Sequence, residues 1–225
     1  MTAAAQRETH ALPRWLQPLA EVASSITSRD LSRRVPPPPV TARASAVLML
    51  FGEGAAGPDL LLTERSHDLR AHAGQVAFPG GASDRDDDGP VATALREAME
   101  EVGVDAAGVD VFGLLPALWV PPSNFAVTTV LGWWREPSEV VAVDSAEVAA
   151  VLRVPLAHLL EPRNRFTVRH PSGWTGPAFD VGDGLVLWGF TAGVVARLFV
   201  SVGWEQPWDA ARVRPVPITV QGRAL

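Results

Sequence analysis

Apolar residues along this chain fall into short runs separated by turn-formers, which predicts strands interleaved with a few helices. ASAVLMLF (45–52) and DLLLTER (59–65) read as buried strands joined by the Gly-rich turn EGAAGP. VDVFGLLPALWV (109–120) and FAVTTVLGWW (125–134) read as two more, split by the turn VPPSN. Residues 145–160 are apolar with helical or mixed character, RFTVRH and GLVLW are short strands, and WGFTAGVVARLFVSV (188–202) suits a buried helix. Strands mixed with two or three helices point to an α/β or α+β layered domain.

The ends differ from this middle. Trp15, Leu16, Leu19, Val22 and Ala23 recur at helical spacing, and the run Pro36–Pro39 then forms a stiff extended connector. Residues 1–41 are therefore expected to be an extension with one helix, 42–202 the main domain and 203–225 a Pro-rich, extended tail. The extension reads as a helix packed on the domain surface; a regulatory or dimerisation arm, and with it a homodimer, stays open.

One further helix is punctuated on both sides. Pro90 suits a first turn, Gly89 or Asp88 can cap it, and Gly103 suits a left-handed exit. At about 100° per residue, with Glu97 at zero, Glu100 falls near −60° and Glu101 near +40°, so three carboxylates share a face. Val91, Ala94, Leu95, Ala98, Met99 and Val102 take the opposite arc and read as core. Acids so placed repel one another, and only Arg96 is interleaved with them. Either the face is solvated or a divalent cation sits on it; spacing alone leaves both open. The tract Asp84–Gly89 opens like a calcium loop, but position 12 is Leu95 instead of a bidentate Glu, which rules that motif out.

Composition narrows the function. The chain has 225 residues, 47% hydrophobic and 20% charged, enough for a real core. A net charge of −6 argues against a nucleic-acid surface and means that an anionic substrate needs local cations or arginines. The absence of cysteine excludes disulfides and thiolate chemistry. No stretch approaches the ~20 apolar residues that span a bilayer. A cytoplasmic protein without nucleic-acid or membrane partners is expected.

Residues 81–104 resemble the Nudix box, G-x5-E-x7-R-E-U-x-E-E-x-G-U, where U is a bulky aliphatic residue. Arg96, Glu97, Glu100, Glu101, Gly103 and Val104 match, with the small Ala98 at the first U. The first half departs: five residues after Gly81 stands Asp87, not Glu, and eight residues instead of seven separate it from Arg96. Registered from the other end, the acid is Asp88 and the glycine becomes Ala82. Upstream, LLTERSHDLRAHAGQVAFPGG (61–81) is similar to the L-L-T-x-R-S-x3-R-x3-G-x3-F-P-G-G pattern of the coenzyme A pyrophosphatase branch. Weaker similarity in PPSNFAVTTV, VPLAHLLEPRNR and LWGFTA extends the resemblance over roughly 42–200.

The resemblance implies an α/β/α sandwich with a mixed sheet and a metal site of strand, loop and helix. The implied reaction, with Mg²⁺ or Mn²⁺, splits the diphosphate of coenzyme A into 3′,5′-ADP and 4′-phosphopantetheine. Glu97 and Glu101 become the expected principal ligands, Glu100 a direct or water-mediated helper, and the backbone near Gly80 a carbonyl donor. Arg96 is expected to orient the acids or to make a structural ion pair. Arg65 and Arg70 are expected to grip phosphate, since a guanidinium fork matches its oxygens, with Phe78 and Gly81 also on the substrate side. Asp84 and Asp87 are candidates for a second metal or for water activation, or else solvate the loop; the general base is unassigned. Alternatives are a Nudix pyrophosphatase for ADP-ribose or a dinucleotide, or a nucleotide-sensing module without turnover. The histidines, including His67 and His72, show no metal-ligand spacing. Among eight tryptophans and no tyrosine, core packing is the simpler reading than adenine stacking.

Overall fold

The computed structural model describes residues 11–32, 36–69, 71–217, 219–220 and 223–224. A 3-10 turn at Arg14–Leu16 leads into α1 (Gln17–Ser25) and α2 (Ser28–Leu31). Then follow β1 (Arg43–Gly54), β2 (Gly57–Arg65), β3 (Val76–Ala77), β4 (Gly80–Ala82) and α3 (Gly89–Val102). Next come β5 (Val109–Leu114), β6 (Leu118–Val120), β7 (Phe125–Trp134), β8 (Val148–Pro155) and α4 (Leu156–Leu160). The rest comprises β9 (Arg165–Arg169), β10 (Thr175–Gly182), β11 (Leu185–Leu187), α5 (Gly189–Ser201) and β12 (Val213–Pro215), before a last two-stranded pairing of 219–220 with 223–224.

The sheet is mixed. β1 runs parallel to β7 along one edge; along the other it is antiparallel to β4 at its start and to β2 at its end. Successive side chains of a strand point to opposite faces, and β1 obeys this strictly. Met49 and Phe51 enter one hydrophobic cluster with α5 and the N-terminal helices; Ala46, Leu48 and Leu50 enter another under α3. The result is the expected α/β/α sandwich with an N-terminal helix. Residues 14–31 pack into the first cluster, where Leu16, Leu19 and Leu31 are buried. Trp15 meets Phe51, Trp133 and Trp204 edge-on or tilted, at centroid distances of 5.9–6.3 Å.

Three expectations need correction. The run 109–120 is not one strand: it breaks at Leu115–Ala117, where Pro116 has no N–H for a ladder. β10 went unread because Gly176, Pro177 and Gly182 resemble a loop; Pro177 is tolerated because β11 pairs only from Phe179 onward, leaving one side of β10 open there. Finally, Met99 is 53% exposed, not core. The inward stripe of α3 centres on Ala98, with Ala94 and Val102 fully buried, and Met99 lies about 100° off that centre.

Candidate active site

Recentring the stripe on Ala98 changes the meaning of the acidic face. Glu101 sits about 60° from the centre, Glu97 about 100° and Glu100 about 160°. Their exposure follows: 4% for Glu101, 15% for the Glu97 side chain and 54% for that of Glu100. The carboxylates thus step from the core edge to solvent instead of opposing the core. The ends follow the sequence in part: Pro90 sits in the first turn and Gly103 is left-handed at φ 75°, its N–H bonding Ala98 O and Met99 O, whereas Asp88 takes the N-cap position without a side-chain capping bond.

β4 is the surface against which these acids are set. Leu48 N–H bonds Pro79 O and Ser83 N–H bonds Ala44 O. Bonded pairs alternate along an antiparallel ladder, so Gly80, opposite Val47, turns its main-chain groups away from β1. Its N–H donates to Glu101 Oε2 at 3.0 Å. A Cβ on Gly80 would stand 2.4 Å from Ala46 O, and one on Gly81 would stand 2.5 Å from the Glu97 carboxyl. Both glycines are needed for close approach.

Arg96 ties the helix to the preceding loop. Its Nε and Nη2 grip the two oxygens of Asp87 at 3.0 and 2.9 Å, and Nη2 also bonds Ala82 O. Its Nη1 donates to Glu97 Oε1 and Glu100 Oε2, each at 3.0 Å. Asp87 further accepts from the Asp84 N–H and from the buried Thr93 hydroxyl. Arg96 above all, with those donors, holds the Asp87 carboxyl well below the usual carboxylate range. Asp87 therefore anchors the arginine, while Asp84 is exposed and reaches Arg96 only at 3.8 Å.

Electrostatics set Glu101 apart. Burial pushes its carboxyl up to about 7, against the opposing pull of the Gly80 N–H and the Arg65 guanidinium, and Glu97 and Glu147 push it further. Glu97 is raised too, by burial first and then by Glu100 and Glu147, with Arg96 opposing. Arg65 ends β2 within electrostatic reach of Glu101, and its Nε is buried without a partner among the described residues. Phe78 is buried in the main cluster instead of lining an opening. His72 bonds Gln75 and His67 bonds Glu64, both exposed. Arg70 lies outside the described residues.

Glu147 was missed by sequence reading. The register of β2 with β8 slips between Glu64↔Ala150 and Arg65↔Val148, a bulge that re-aims the chain there. The turn Asp144–Val148 and a bond from Ser66 N–H to Glu147 O fix the residue beside Arg65. Its exposed carboxylate raises the carboxyls of Glu97 and Glu101 through its charge and has no hydrogen-bond partner among the described residues. No motif marks it.

Among the described residues, no three His, Cys, Asp or Glu side chains already enclose a point where an ion would sit. The donor chemistry nonetheless fits a hard cation. Glu97 Oε2 and Glu101 Oε1 accept no hydrogen bond from the described residues, and the Gly80 carbonyl lies outside the β1 ladder. Mg²⁺ commonly takes only one or two carboxylates, completing its shell with water and substrate phosphate. A surface groove of about 590 Å³ elsewhere, between β9 and β12, contains none of these acids.

Known proteins resemble the chain in the same region. The family model described as NUDIX domain matches residues 40–173. A protein of Cronobacter sakazakii named uncharacterized Nudix hydrolase NudL is 40% identical over 67% of this chain and 78% of its own length. Its namesake in Escherichia coli K12 is 39% identical over 65% and 76%. Among solved structures, a Nudix hydrolase from M. smegmatis, RenU, superposes with a TM-score of 0.51 at 18% identity, covering 75% of this chain and 90% of its own. A MutT/nudix family protein from Enterococcus faecalis gives 0.50 at 14% identity, covering 86% and 76%. These structures agree in fold, the sequence match supplies the kinship, and the acidic helix lies inside the matched span: the chain belongs to the Nudix hydrolase family.

Proposed function

We propose that this protein hydrolyses the diphosphate of coenzyme A or an acyl-coenzyme A, yielding 3′,5′-ADP and (acyl-)4′-phosphopantetheine. One observation carries the reading. Within the segment 61–81, the Arg65 charge acts on Glu101, and Gly80 and Gly81 pack against Glu101 and Glu97. The signature similar to the coenzyme A branch and the acidic helix therefore build one site.

A divalent cation, Mg²⁺ or Mn²⁺, would be held by Glu97 and Glu101, with Glu100 and the Gly80 carbonyl as further donors. Such an ion neutralises diphosphate charge and makes bound water more acidic. Arg65 offers its guanidinium to a phosphoryl oxygen, and Arg70 is proposed to join it. Arg96, held by Asp87, fixes the directions of Glu97 and Glu100. Glu147, whose carboxylate has no hydrogen-bond partner among the described residues, is proposed to accept the proton of an attacking water. Asp84 remains a candidate for a second ion.

Mass analysis of products after incubation with coenzyme A and Mn²⁺ tests the proposal. Masses of 3′,5′-ADP and 4′-phosphopantetheine are expected. Intact coenzyme A alongside cleaved ADP-ribose or dinucleotide would transfer the assignment to those substrates. No turnover across the panel would leave a nucleotide-sensing module.

A further inference from the structure

β4 is too short to define its own position, yet Glu97 and Glu101 are both set against it. Something must fix its height. From α3 the Arg96 Nη2 holds Ala82 O at 3.1 Å. From β1 the Ser45 hydroxyl donates to Gly81 O at 2.6 Å. Ser45 is buried and lies opposite Ala82 in the register, one residue from the Ala46↔Gly81 pair. A buried strand serine on the sheet face away from α3, the face of Met49 and Phe51, would ordinarily be replaceable by alanine or valine. Here its hydroxyl reaches sideways to the peptide whose Cα leaves no more than 2.5 Å between a would-be Cβ and the Glu97 carboxyl.

We propose that Ser45 is a positioning residue for the cation-binding carboxylates, acting through the Gly81 carbonyl. It touches neither ion nor substrate. With the hydroxyl removed, β4 keeps its ladder to β1 but loses the sideways restraint on the peptide at Gly81. Glu97, packed on that peptide, and Glu101, bonded to the neighbouring N–H, then lose their shared reference. Partners one shell removed from a metal commonly alter its affinity about 10- to 100-fold when deleted.

The inference rests on the proposed cation site but not on the identity of the substrate. Mn²⁺ titration by calorimetry of the full chain, wild type against Ser45→Ala and Ser45→Thr, tests it without turnover. Ser45→Ala is expected to weaken Mn²⁺ about tenfold while shifting the melting temperature of the metal-free protein little. Ser45→Thr, which keeps the hydroxyl, is expected to bind as wild type does. Should Ser45→Ala fail to fold, Ser45→Cys, close in size with a far weaker donor, is expected to show the same loss. Wild-type Mn²⁺ affinity in the alanine or cysteine variant overturns the proposal, as does equal weakening by threonine. If coenzyme A proves not to be cleaved, the functional reading falls and this comparison still decides the role of Ser45.

Discussion

Glu101 Oε2 accepts the Gly80 main-chain N–H at 3.0 Å while the residue is only 4% exposed. A single hydrogen bond and a nearby arginine do not offset the desolvation of that carboxylate, and its ionised form is disfavoured in the folded protein.

Stability should record this. A carboxyl raised from 4.5 to about 7 on folding contributes stability that is full below the unfolded value and is lost as pH rises through about 7. Metal-free protein should therefore weaken between pH 5 and 8 by up to about 3 kcal/mol from this residue. Glu101→Gln keeps an acceptor for Gly80 and should be the more stable protein at pH 8, with little difference at pH 5. Urea unfolding in EDTA at both pH values measures it; identical curves at pH 8 would refute the assignment.

The same proton competes with a cation. Ligands must be deprotonated to bind metal, so Mn²⁺ affinity should climb between pH 6 and 7.5, by about tenfold per unit at most, and level off above. Calorimetric titration across that range should lose the slope in Glu101→Gln along with most of the affinity.

Glu97 is pressed against a glycine that leaves no space. Glu97→Gln should cut kcat by orders of magnitude, about 100-fold or more, with the melting temperature held. Gly81→Ala must push the Glu97 carboxyl aside and should also depress kcat at least about tenfold. Product formation with unchanged folding, followed by mass analysis, distinguishes both from simple unfolding.

Asp87 does its work through Arg96. Asp87→Asn removes the charge that grips the guanidinium and should lower both kcat, by about 10- to 100-fold, and the melting temperature. Its contribution to stability is present above the unfolded carboxyl range and disappears as pH falls below it, so wild type and variant should converge in strong acid.

Glu147 makes the opposite case. Its carboxylate is exposed, has no hydrogen-bond partner among the described residues and is repelled by two like charges, so the side chain adds no bond that folding needs. Glu147→Gln should reduce kcat strongly while leaving stability unchanged or slightly higher. A wild-type rate would remove it from the mechanism.

The helix and its acids were legible because caps, periodicity and charge all act within one stretch of chain. Pro90, Gly103 and the Glu spacing are local facts. What α3 packs against is not local, so Met99 was placed inside and Glu101 outside the buried stripe. Asp87 illustrates a middle case: the box alone leaves two registers for its first acid, and the grip of Arg96 on Asp87 picks between them. Glu147 was invisible, because only a bulge in distant strand pairing brings it round. β10 was hidden by its own Pro177, which becomes readable only once the neighbouring strand is known to stop short.

Trp15 touches Trp133 of the sheet and Trp204 beyond the last long helix, so three parts of the chain far apart in sequence share one aromatic contact. Loosening either flank must disturb the indole environment of the centre. Intrinsic fluorescence should then change in one step with the far-ultraviolet helical signal during unfolding, and clipping the segment before β1 should shift emission and melting together.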